Sequence, residues 1–193
     1  AAASQEPMVA TNGMSEHARD KENANSALLV QIYPEDFGTN HILGGMYMQR
    51  DLERKAFVEG GSNYFAPAQS VGAFMNNTVD SEFGEIKNSY MPGIKFSDIR
   101  KVLPEFMTEA IREALPEMGK RLKGFDRDDA IMTAVESRSS SPVRILRDKE
   151  SFESVSLKGL YPAGEGAGYA GGIVSAAVDG IVIAEKIYCK YVY

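Results

Sequence analysis

Two periods of hydrophobic and polar positions run through the chain, and the change from one to the other marks most of its elements. Ser26-Ala-Leu-Leu-Val-Gln-Ile-Tyr33 is a short apolar, β-branched run closed by Pro34, and predicts a strand. From Met46 to Glu59 the pattern turns helical. Met48, Leu52 and Ala56 share a face, Arg50, Glu53, Arg54 and Lys55 fall elsewhere, and Gly60-Gly61 supplies a stop. Asn63 to Ala66 predicts a short extended piece ending at Pro67, and residues 67–93 carry little beyond turn signals at Asn76-Asn77 and Pro92-Gly93. Ser97 is a good N-cap for a short helix over 98–102. Pro104 suits the first turn of the next helix, where its missing N–H is not needed. Leu103, Phe106, Met107, Ala110, Ile111, Ala114 and Leu115 recur at steps of three and four, so that helix buries one face. Pro116 kinks or restarts it, and Gly124 ends it. Asp129 to Val135 predicts a strand, although its apolar run would also pass for helix. Residues 1–26 and Glu136 to Ile145 read as polar loops, the second holding four serines, a proline and two arginines.

The last quarter departs from this ordinary pattern. A short run from Val155 to Tyr161 predicts a strand that feeds a loop holding Gly164, Gly166, Gly168, Gly171 and Gly172. An almost wholly apolar helical segment leaves it through Ile173, Val174, Ala177, Val178, Ile181 and Val182. Strand, glycine loop and helix N-terminus in that order bring bare backbone amides against a phosphate or another electron-rich group. Gly166-Ala-Gly168-Tyr-Ala-Gly171 fits the dinucleotide fingerprint G-x-G-x-x-G, a weak match by itself. Two features oppose a primary nucleotide site: no second strand follows the helix, and no acid stands about 20 residues on to hold a ribose. An acid, Glu165, lies inside the turn instead.

Composition narrows the choices. The 193 residues are 44 % hydrophobic and 25 % charged, as in a soluble globular protein of one large or two small domains. A net charge of −6 argues against general nucleic-acid or anionic-membrane binding. No apolar run reaches membrane-spanning length. A single cysteine, Cys189, excludes an internal disulfide and points to the cytoplasm. Two histidines, His17 and His41, are too few and too isolated for a metal site, and both read as surface residues. The amino end lacks the features of a signal peptide; without an initiator methionine, it suggests a chain cut from something longer.

An acid inside a glycine turn, directly after a strand and ahead of a helix, resembles the late flavin-contacting motif of two-domain FAD oxidoreductases. Asn12-Gly-Met-Ser15, Ala18-Arg-Asp20, Asn23-Ala-Asn-Ser-Ala-Leu-Leu-Val30, Ala66-Pro-Ala-Gln69, Ser139-Ser-Ser-Pro-Val-Arg-Ile145 and Gly159 to Gly172 extend the likeness over nearly the whole chain. Together these blocks resemble the C-terminal part of the bacterial FAD-dependent (FAD/NAD-utilising) dehydrogenase-like family. The resemblance implies an α+β piece of a two-domain α/β flavoprotein. Residues 1–140 would supply part of a substrate or cap domain, and 141–193 the last strand and helix of the FAD-binding domain. It implies FAD as cofactor of the full-length protein, a small-molecule substrate and NAD(P)H as a candidate electron donor. The piece alone is expected to bind FAD poorly and to be inactive.

The cofactor-binding residues so implied are Gly164, Glu165, Gly166, Gly168, Tyr169, Ala170, Gly171, Gly172 and Ile173. Glu165 would accept hydrogen bonds from the ribityl hydroxyls, and Gly171 and Gly172 would admit helix-start amides to the flavin or its phosphate. No catalytic acid or base is identified.

Plainer readings stand beside these. The turn also fits a non-redox module for a phosphate-bearing ligand, or a tight connection packed in a core. Glu165 fits a helix-start acid. The loop Ser139–Arg144 reads equally as a pocket wall or a solvated connection. The helix after the turn reads as core packing, and Cys189 as a buried apolar residue.

Overall fold

Ala66–Ser70 (β1) is buried along its whole length and forms the middle of a three-stranded sheet in the computed structural model, which describes residues 4–192. Ile94–Phe96 (β2) runs parallel to it, Ala66 opposite Ile94 and Ala68 opposite Phe96. Ile131–Thr133 (β3) runs antiparallel on the other side, Ala68 opposite Thr133 and Ser70 opposite Ile131. With helices Gly44–Glu59 (α1), Val71–Met75 (α2), Glu105–Arg121 (α3) and Ile173–Val192 (α4), the fold is α+β.

The sheet begins where the sequence pattern predicts an extended piece to stop. Proline is unwelcome in a central strand because it cannot donate to the ladder. Here Pro67 lies one residue into β1, its carbonyl accepts from the Ala134 N–H at 3.0 Å, and β3 has already ended at Thr133. The missing N–H therefore falls at the end of the antiparallel pairing.

The predicted strand over 26–33 is not formed. Its alternation is nevertheless physical: Leu28, Val30 and Ile32 pack on the core while Leu29 and Tyr33 are exposed. The segment forms no ladder with β1, β2 or β3.

The chain divides into two units. The first holds the residues up to Tyr33 together with Met48–Ser137. One part of its core joins Leu52, Ala56 and Phe57 of α1 to Ala66, Ile99, Val102 and Met107. A second part joins Val71 and Phe74 of α2 to Ile111 and Leu115 of α3. The helical face predicted for α3 is present, except that Phe106 remains 38 % exposed. α3 continues through Pro116 to Arg121, and its N-cap is Pro104 itself. The short helix before it is a single 3-10 turn, Ile99–Lys101, capped by Asp98 rather than Ser97. The Ser97 hydroxyl is otherwise engaged, donating to the Glu59 carboxylate at 2.6 Å.

The second unit holds Pro34–Tyr47 and the chain from Arg138 onward. The predicted strand over 155–161 is absent, leaving a lone bridge between Arg147 and Ser154. Leu160 turns back so that its carbonyl accepts from the Ser154 N–H at 2.7 Å, and Gly159 takes a left-handed φ of +82°. α4 is not core either. Among its residues only Ile183 is buried, while Ile173, Val174, Val178 and Ile181 are exposed. Cys189 is exposed as well, contrary to the expectation from the sequence. Among the described residues, no helix is long and apolar enough to cross a membrane.

Candidate functional site

The glycine turn folds on itself before α4 begins. The Gly168 N–H donates to the Glu165 carbonyl at 2.8 Å, and the Tyr169 N–H to the Gly164 carbonyl at 3.0 Å. Gly164 and Gly168 carry φ of +65° and +82°, conformations that side chains resist. The chain then passes through Ala170, Gly171 and Gly172 into the first turn of α4. There the Ala176 N–H and the Ser175 hydroxyl both donate to the Gly172 carbonyl, at 2.9 Å each. The amides that open a helix have no carbonyl one turn earlier to receive them, so this end carries partial positive charge.

The serine-arginine loop lies directly against the turn. The Ser141 hydroxyl contacts the Gly166 carbonyl at 3.2 Å, and the Ile145 N–H donates to the Ala167 carbonyl at 3.1 Å. Arg144 Nε donates to the Gly168 carbonyl at 2.9 Å. At Gly168 the approach is so close that a Cβ would stand 2.6 Å from the Val143 carbonyl oxygen. The loop is thus anchored to the turn through Ser141, Arg144 and Ile145, while Ser139, Ser140 and Arg144 stay exposed.

Behind the turn sits an ion pair that the sequence reading did not single out. Arg147 donates to both oxygens of Asp179, at 2.9 and 2.6 Å. It also donates to the Pro162 carbonyl at 2.8 Å. The side chains are 8 % and 14 % exposed, so this is a well-covered bidentate pair rather than a surface one. Asp179 accepts a further hydrogen bond from the Gly164 N–H at 2.8 Å. The Arg147 guanidinium holds the Asp179 carboxyl below its usual range; burial opposes this and the Gly164 N–H adds to it. Asp179 in turn raises the Arg147 guanidinium. Arg147 stacks 3.7 Å from the centre of the Tyr169 ring, and its own N–H donates to the Tyr169 hydroxyl at 3.1 Å. One signal was available: Asp179 is an acid within an otherwise apolar stretch of helix.

The residues expected at a cofactor thus fall into two groups. Gly164, Gly168 and Tyr169 are engaged in holding the turn together. Glu165 is partly exposed, and an added Cβ at Gly166 or Gly171 would meet no atom within 4 Å. Ala170 and Gly172 are partly exposed, and Ile173 is 91 % exposed. The open side of the turn is therefore formed by Glu165, Gly166 and the start of α4. Elsewhere, both histidines are exposed; His41 Nδ1 accepts from the Leu43 N–H at 3.1 Å. Among the described residues, no group of three or more His, Cys, Asp or Glu side chains gathers in a way that would hold a metal ion.

Comparison with known proteins bears on what the turn belongs to. A protein of Clostridium beijerinckii (strain ATCC 51743 / NCIMB 8052), described as uncharacterized, is 51 % identical over 191 residues, which is 99 % of this chain. The chain spans only 36 % of that protein's length. The model of the FAD-dependent protein, C-terminal domain-like family matches residues 1–139, the stretch that carries the sheet and α1 to α3. The chain belongs to the FAD-dependent protein, C-terminal domain-like family.

Proposed function

We propose that this chain is the C-terminal part of an FAD-dependent oxidoreductase, and that the turn from Gly164 to Gly172 closes its flavin site. The observation that carries the reading is the construction of the turn. It is fixed from behind by Arg147, Asp179 and the serine-arginine loop, and open in front at Glu165, Gly166 and Gly171. A turn held this way presents backbone amides and one carboxylate with little left to reorganise, which is what a tightly held anionic and hydroxyl-rich ligand needs.

The residues fit the group that the family name implies. Glu165 would accept from the ribityl hydroxyls, and the amides at Gly171, Gly172 and Ile173 would face the flavin or its phosphate. Tyr169 and Ala170 would shape the edge of the site. Bound FAD would supply the transfer of hydride or electrons, and the helix start would favour negative charge on it. Residues 1–140 would then form part of a substrate or cap domain, and 141–193 the last segment of the FAD-binding domain. A small-molecule substrate, NAD(P)H as electron donor and a cytoplasmic setting complete the reading.

The test uses the longer Clostridium relative, with substitutions at the aligned positions. Purified with FAD, it should retain flavin, seen as its visible absorbance. The change corresponding to Glu165→Ala should weaken retention by about tenfold, the size expected for losing a charge-assisted hydrogen bond. A colourless protein that takes up no FAD would end the flavin reading.

A further inference from the structure

α4 has two apolar faces, and the chain uses only one. On one side Ile183 is buried, Ile187 is partly covered and Asp179 is tied to Arg147. On the other, Val174, Val178, Ile181 and Tyr188 follow at steps of four, three and seven, with Ile173 and Tyr191 alongside. Ile173 is 91 % exposed, Val174 76 %, Ile181 60 % and Tyr191 65 %. Glu185 is the one acid in that stripe. A helix apolar nearly all round is normally buried between layers, and an exposed stripe of this length marks an interaction surface. The segment before the turn tells the same story. Val155, Leu157 and Leu160 are patterned as a strand, yet they are exposed and have no sheet to join.

We infer that the outer face of α4 docks against the part of a longer polypeptide, such as the Clostridium relative, that lies outside the matched stretch. The occupant is identified by length. Aligned along 99 % of itself, this chain accounts for 36 % of the Clostridium protein, so the larger part of that protein lies outside the match. Several bulky apolar side chains with a single carboxylate among them call for an apolar, close-packed partner surface, such as a sheet or helix layer of the same protein. The inference rests on reading the chain as the C-terminal part of a longer protein, and not on the flavin chemistry.

Thiol labelling tests it. Ile181→Cys and, separately, Val174→Cys are introduced into this chain in a Cys189→Ser background, and at the aligned positions of the full-length Clostridium relative. Labelling by a soluble maleimide is followed peptide by peptide, with mass in solution measured by light scattering. The expected result is a monomeric chain whose cysteine reacts as a free surface thiol. In the folded long protein the same position should be slowed on the order of a hundredfold, by the rarity of local opening. Equal rates in both proteins overturn the inference. Slow labelling in the isolated chain together with a dimer mass also overturns it, because a second copy is then the occupant. Flavin absorbance of the long protein is read on the same samples. Protection without flavin removes the flavin reading alone, and flavin without protection removes the docking alone.

Discussion

Arg147 and Asp179 stand 32 residues apart in sequence and meet through two hydrogen bonds, one to each carboxylate oxygen. The pair joins the segment just after the serine-arginine loop to α4, and the Gly164 N–H joins the glycine turn to the same carboxylate. Removing one partner leaves the other charge covered and unpaired, which costs more than the pair itself contributes. Arg147→Ala should therefore lower stability by about 3 kcal/mol, the lower end for breaking a buried pair. Arg147→Lys keeps the charge but loses the planar fork and its stacking on Tyr169, so it should recover only part of that loss. Chemical denaturation of the three proteins checks the order.

The same carboxylate sets a pH dependence. Its folded pKa lies below the unfolded value of about 3.9, chiefly because Arg147 bonds to it. The stability it contributes is thus fully present above the unfolded pKa and is lost as pH falls through the folded one. Asp179→Asn should be clearly less stable than the parent at neutral pH. The gap should begin to close as the pH falls past the unfolded value and be gone only below the lowered folded pKa, where the parent's carboxyl also loses its charge. A gap that stays constant from neutral pH down to the acid transition would show that the ion pair does not supply the difference.

Glycines two residues apart in the turn should behave differently. At Gly168 the backbone has φ +82° and a Cβ would press on the Val143 carbonyl at 2.6 Å. Gly168→Ala should cost about 1–3 kcal/mol and loosen the loop from the turn. At Gly166 the added methyl meets nothing within 4 Å, so Gly166→Ala should stay within about 0.5 kcal/mol of the parent. Thermal or urea unfolding of both variants separates close packing from mere glycine abundance.

Elements with local signals were legible. α1 follows from its period and its Gly60-Gly61 stop, and α3 from its apolar steps. The glycine turn and the helix after it also stand where the pattern predicts them. What could not be read depends on partners remote in sequence. Leu28, Val30 and Ile32 announce an inward face, but an apolar alternation does not say whether another strand will pair with it. Pro67 discouraged a central strand, because only the end of β3 at Thr133 makes it harmless. The clamp behind the turn needs Arg147 and Asp179 brought together by the fold. For α4, an apolar stripe predicts burial, and it is the neighbour that determines whether burial happens within the chain.

Gln69 carries the sheet's most confined polar contact. It is fully buried on β1; its amide N–H₂ donates to the Thr78 carbonyl, and its amide oxygen accepts from the Ile99 N–H at 3.1 Å. Ile99 opens the 3-10 turn and is itself buried, so its N–H has no water to fall back on. Thr78 is exposed, and its carbonyl can be rehydrated. Gln69→Met fills nearly the same space without the amide. It should therefore cost about 1–3 kcal/mol, nearly all of it from the orphaned Ile99 N–H. Gln69→Glu keeps an acceptor for Ile99 but loses the donor to Thr78 and places a charge at a fully buried position. It should be the less stable variant at neutral pH and regain ground in acid, where protonation restores a donor. Denaturation at two pH values distinguishes the outcomes. If Gln69→Met matches the parent, the amide does not anchor the turn, and if Gln69→Glu is indifferent to pH, the site is wetter than its burial implies.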